Sequence, residues 1–233
     1  MQALRRPPRL PIDSGGWLGD TWAALPPRNL PSLDRQWVER AVAENLAKSA
    51  TPRAHLKRLL LNRIRNAARK GREAEAGINE VIDEVLDRHV ALGTINDAAW
   101  AESRAKSLTR KGIASRVIGQ RLRQHGIDEV APALAAVREA AREGDQDVNP
   151  DLVAACVWAR RKRVGPYARE SEAEPEAVGL GRAALRERQD AERAAGNKTL
   201  SAMARAGFSF DICRKVLAMD RDDADDLVRR LSG

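Results

Sequence analysis

From Asp34 onward, apolar residues return every three or four positions in short stripes, and each stripe ends near a glycine or a polar break. Trp37, Val38, Ala41, Val42 and Leu46 form the first stripe. That spacing gathers apolar side chains on one helix face and does not suit a strand, whose faces alternate with period two. Leu56, Leu59, Leu60 and Ile64 predict a second helix, opened by Thr51 as its cap and Pro52 as its first residue. Ile78, Val81, Ile82, Val85 and Leu86 predict a third, closing near Gly93.

The pattern then restarts. Asn96 or Asp97 caps a helix carrying Trp100, Ala101, Ala105 and Leu108, which ends at Gly112. Val117, Ile118 and Leu122 mark the next helix, and Leu134 and Val137 a further one over roughly Glu129–Arg142. Beyond the polar stretch EGDQDVNP, Leu152, Val153, Cys156, Val157 and Trp158 open a third set. A long alanine- and arginine-rich helix follows, interrupted at Gly196-Asn197. A short helix with Ile212, Val216 and Leu217 and a charged tail complete the chain.

Two sets share a local device. Leu122 precedes Gly126 by four residues and Ile127 follows it; Met203, Gly207 and Phe208 repeat the spacing. This is the pattern of a glycine stop, in which a left-handed residue ends the helix and the next apolar side chain folds back on the last turn. Replacing Gly126 with valine should therefore damage the fold more than the function.

Aromatic residues make up only 3% of the chain, too few for an ordinary β-rich core. The expected fold is all-α: an extended array of three tandem three-helix units, at residues 34–94, 95–143 and 144–233, the last with an inserted loop and a charged C-terminal tail. Residues 1–33 hold six of the eleven prolines, with Trp17 and Trp22 but no apolar period, and are expected to be a flexible, disordered leader. The expected core comprises Leu60, Ile64, Ile82, Val85, Trp100, Leu108, Ile118, Leu122, Ile127, Trp158, Phe208 and Val216.

Enzyme chemistry finds little support. Gly196-Asn197-Lys198-Thr199 lacks the glycine spacing of a phosphate loop. His55, His89 and His125 are far apart in sequence, and His125 before Gly126 suits a favourable charge at a helix C-terminus. Asp222, Asp223, Asp225 and Asp226 read as a solvated helix start rather than a cation site. No cofactor and no metal is expected. Cys156 and Cys213 are isolated and read as reduced, structural thiols of a cytoplasmic protein. Val153–Ala159 is far shorter than the ~18 residues of a membrane span.

Charge is more informative. The chain carries a net charge of +8. Arg53, Lys57, Arg58, Arg63, Arg65, Arg69, Lys70 and Arg72 fall in one stretch without an acid. Arg104, Lys106, Arg110, Lys111, Arg116, Arg121 and Arg123 fall in another, and Arg160, Arg161, Lys162 and Arg163 in a run. Acids collect elsewhere, at Glu73–Asp87, Glu170–Glu176 and Asp220–Asp226. Such segregation gives an electropositive face suited to phosphates or acidic side chains. Aromatics are scarce in these blocks, so base stacking is not indicated there.

The segment GTINDAAWAESRAKSLTRKGIASRVIGQRLRQHGID, followed downstream by LSAMARAGFSFDICRKVL, resembles the RecX family of bacterial recombination regulators. Asp97, Trp100 and Ala101 match its acidic–aromatic element, Lys111-Gly112, Leu122 and Gly126-Ile127 its central element, and Arg205 through Ser209 its late element. Ala114 stands where the family often has a second glycine, and Asn96 replaces the first acid of a paired-acid element. The resemblance covers roughly residues 34–220 and implies tandem three-helix units. It also implies a protein that lies in the groove of the RecA–single-stranded-DNA filament, opposing filament growth, ATP hydrolysis, strand exchange and coprotease action; the chain itself is expected to be a monomer without enzymatic activity. Arg53, Lys57, Arg58, Arg63 and Arg65 of the first block, all seven basic residues of the second, and Arg160, Arg161, Lys162 and Arg163 are the candidate filament or DNA contacts. Two other readings are a general nucleic-acid binder acting through phosphates alone and, with least support, a helical enzyme whose site assembles from distant residues.

Overall fold

The computed structural model describes residues 32–142, 148–168 and 182–230. The expected leader, apart from Ser32 and Leu33, and most of the expected inserted loop lie outside the described residues. Among those residues the chain is all-α, with ten helices, one 3-10 turn at Gly165–Tyr167 and an isolated bridge between Leu33 and Ala74. Leu33 is fully buried, its amide donating to Glu73 O (3.2 Å) and its carbonyl accepting from Glu75 N (3.1 Å).

The helices group around three hydrophobic clusters. Helices α1 (Arg35–Lys48), α2 (Arg53–Ala68) and α3 (Ile78–Ala91) enclose Val38, Val42, Leu56, Leu60, Ile82 and Leu86. Helices α4 (Asp97–Arg110), α5 (Ser115–Gln124) and α6 (Ala131–Ala141) enclose Leu108, Ile118, Leu122, Ile127 and Val137. The third cluster takes Trp158 from α7 (Pro150–Lys162), Met203 from α8 (Arg182–Arg205), Val216 from α9 (Phe210–Ala218) and Val228 from α10 (Arg221–Arg230). Ten of the twelve expected core residues are buried; Ile64 and Trp100 are half-buried at the edges of their clusters.

One local expectation changes, at Gly196, and the helix start expected at Asp222 and Asp223 forms. Helix α8 runs through Gly196-Asn197 without a break. Glycine keeps its amide donor, so a mid-helix glycine costs only about 1 kcal/mol relative to alanine and does not force a stop. The charged tail is helical where it is described: Asp220 accepts from Asp223 N (2.8 Å) to start α10, and Ala224 and Val228 are buried in the third cluster.

The glycine stops form as expected. Ile127 N donates to Leu122 O (3.1 Å) and Phe208 N to Met203 O (3.3 Å), with Gly126 at φ +88° and Gly207 at φ +98°. Both glycines also lie where one helical group meets the preceding one. A β-carbon on Gly126 would fall 2.3 Å from Ala54 Cβ in the first turn of α2, and one on Gly207 2.7 Å from Val117 Cγ2 in the first turn of α5.

The same two junctions share a second device that local sequence hides. Thr51 does not cap α2: its hydroxyl donates to Ser49 O (3.1 Å), and Pro52 occupies the cap position without a side-chain bond. The acceptor for the first helical amide comes from the next group, with Arg53 N donating to Asp97 Oδ1 (2.9 Å). Asp97 is free for this because Asn96 caps its own helix, accepting from Ala99 N (2.9 Å). At the following junction Ser115 N donates to Asp151 Oδ1 (2.7 Å) while Asn149 caps α7.

Removing such a cap costs about 1 kcal/mol. Asp97→Ala and Asp151→Ala should each lower the unfolding free energy by that amount in urea titration, and Asp97→Asn, which keeps an acceptor, should recover most of it. No loss in Asp97→Ala would mean that the cap between groups contributes nothing.

Candidate nucleic-acid interface

The basic blocks divide once they are placed on the helices. Arg53 and Lys57 face α3: Arg53 meets Asp87 (2.7 Å) and Asp83 (3.3 Å), and Lys57 meets Asp83 (2.7 Å). Arg58 donates to Gln124 O (3.1 Å) at the end of α5, and Arg161 to Lys111 O (3.1 Å) at the end of α4. Both bonds join neighbouring helical groups. Arg65 bonds Asn62 beside it.

Arg63, Arg104, Arg110, Lys111, Arg116, Arg121, Arg123, Arg160, Lys162 and Arg163 are exposed, and Lys106 is half-buried. None of these has an ion-pair partner among the described residues. The two arginine-to-carbonyl bonds bring the blocks together. Through Arg58, α2 meets the end of α5, where Arg121 and Arg123 lie. Through Arg161, the basic end of α7 meets the α4–α5 turn, where Arg110 and Lys111 lie. Gly112 makes that second approach possible, since a β-carbon there would fall 2.8 Å from Trp158 N. Helix α5 therefore has cationic neighbours at both ends.

Histidine chemistry departs from the sequence reading. His125 does not act as a charged group at the end of α5. Its ring lies between Trp100 (5.1 Å between centroids) and His55 (4.8 Å), and its buried Nδ1 has no hydrogen-bond partner among the described residues. Burial above all, and then His55, Arg104 and Arg58, hold its pKa below the ordinary value. Burial and Arg58, whose guanidinium meets His55 Nδ1 at 2.7 Å, lower His55 as well.

The sign for stability follows. The unfolded histidines take up protons near pH 6.5, while the folded ones resist to lower pH. Stability is complete above about pH 6.5 and is lost as pH falls below it. Thermal unfolding followed from pH 7.5 to 5.5 should show this loss, and His125→Gln should flatten it. An unchanged slope in that variant would remove the histidine pair as its cause.

The other polar groups serve the fold. Both cysteines are free and buried, and burial pushes the Cys156 thiol up to about 11 and raises Cys213 as well. Asp225 accepts from the Tyr167 hydroxyl (2.8 Å), and Asp226 pairs with Arg229. An open cleft of about 410 Å³ beside α4 is lined by Asp97, Glu102, Asp128 and Glu129 among apolar groups; Asp97 there already accepts the Arg53 amide. Among the described residues no three His, Cys, Asp or Glu side chains converge as a metal site, and no helix is long and apolar enough to cross a membrane.

Stacked helical groups presenting unpaired cations define a class, the basic helical-repeat scaffold. Over 193 residues the chain is 30% identical to "Regulatory protein RecX" of Myxococcus xanthus (strain DK1622), across 82% of this chain and 89% of that protein. It is 36% identical over 134 residues to the protein of the same description from Agrobacterium fabrum (strain C58 / ATCC 33970), across 58% of this chain and 57% of that one. The chain belongs to the RecX family of regulatory proteins. No family model and no solved structure matches it.

Proposed function

We propose that this protein binds RecA filaments on single-stranded DNA and restrains their ATPase, recombinase and coprotease activities by occupying the filament groove, with no chemistry of its own. The observation that supports this reading is the joining of separate basic blocks by the Arg58–Gln124 and Arg161–Lys111 bonds, which brings basic segments of successive groups together at two junctions. We take 34–94, 95–143 and 144–233 as the three units, each meeting a different part of the filament as a monomer. Several weak contacts on one scaffold raise affinity without a single strong site.

The test is single-stranded-DNA-dependent ATP hydrolysis by RecA with the protein titrated in, naked-strand affinity being measured in parallel. Suppression at concentrations too low to coat the naked strand is the expected result. Unchanged hydrolysis at saturation, or suppression only once the strand is coated, would replace this reading with general phosphate binding.

A further inference from the structure

Phe210 opens α9 with 60% of its surface exposed, although large apolar side chains elsewhere mostly lie in the three clusters. The Arg214 guanidinium, one helical turn on, stands 5.9 Å from its ring centroid. Arg214, Lys215, Asp211 and Ala218 line a shallow groove of about 540 Å³. No ion-pair partner engages Arg214 or Lys215 among the described residues.

The chain just before this patch touches the preceding helical group. Gly207 seats against Val117, the neighbour of Arg116. Phe210 is three residues farther on, and three residues span at most about 11 Å. An exposed ring and two cations without ion-pair partners among the described residues therefore lie on a helix that begins no more than about 11 Å from the contact with α5.

We propose that Phe210, Arg214 and Lys215 form a stacking site for one unpaired base of a single-stranded nucleic acid. The flat ring face supplies the stacking surface, the guanidinium adds a cation–π contribution, and Lys215 meets the adjoining phosphate. Asp211 repels phosphate from its side of the groove and so favours a base over the backbone there. The site rests on the nucleic-acid contact in the function proposed above and is independent of RecA.

The experiment compares two labelled strands of equal length and phosphate number, one of thymidine and one abasic, by anisotropy at physiological salt without RecA. Wild type should bind the thymidine strand about tenfold more tightly. Phe210→Ala should bind both strands equally, with unchanged helicity. Phe210→Trp should restore the preference, and its added emission should be quenched by the thymidine strand only. Lys215→Glu should weaken both strands alike. Equal binding of the two strands by wild type, or a full preference retained by Phe210→Ala, overturns the stacking site. Because RecA is absent, either result is separate from the outcome of the hydrolysis assay.

Discussion

Gly126→Val should cost about 2–5 kcal/mol of unfolding free energy, a large share of the ~5–15 kcal/mol total stability typical of a protein. Two penalties add. A side chain held at φ +88° sits in the left-handed region, at ~1–2 kcal/mol and more for a β-branched residue. The new Cβ also falls 2.3 Å from Ala54 Cβ, so α2 and α5 must separate, and overpacking of that kind costs ~1–3 kcal/mol.

Two comparisons separate the penalties. Gly71 has φ +75° and open space around it, so Gly71→Ala should show the backbone cost alone. Adding Ala54→Gly to Gly126→Ala should relieve the clash and leave the strain, giving a favourable coupling in a double-mutant cycle. If Gly126→Val kept full stability and lost only filament binding, the glycine would be a contact residue and its structural assignment would fail.

The second large effect is on binding. Arg116→Glu, Arg121→Glu and Arg123→Glu together should leave helicity intact, because all three side chains are exposed and without ion-pair partners among the described residues. For a single strand each neutralised phosphate contributes about 0.7 to the salt slope, so three lost contacts should lower the slope by about 2 and weaken binding roughly fiftyfold at 0.15 M salt. Reversal adds repulsion, which makes that figure a floor. Suppression of RecA ATP hydrolysis should fall with it. Binding that survives the triple change would leave α5 as scaffold and move the contact surface to other helices.

Arg53 and Lys57 give a contrast within the same basic set. Their charges already face Asp83 and Asp87, so reversing them should disturb α2 against α3 before it disturbs any ligand. Arg58 and Arg161 lie between these cases, since each holds a carbonyl across a junction while remaining exposed.

The sequence by itself determined the helices, the glycine stops at Gly126 and Gly207, and ten buried core residues of the twelve it named. These are local properties: a period of 3.6, and a left-handed position that glycine accepts without strain. It also showed which stretches lack acids, and its order of motifs pointed to the RecX family. It misassigned Thr51, because a serviceable local cap says nothing of a better acceptor arriving from residue 97. It read His125 as a helix-end charge, because burial against Trp100 and a second histidine is invisible at a separation of seventy residues. Nor did it single out Phe210, whose exposure depends on what packs around the start of α9. Tertiary structure decided which cations are paired, which carboxylate caps which helix and where each glycine is pressed. The reason is physical: these outcomes depend on surfaces that meet only after the helices have formed and stacked.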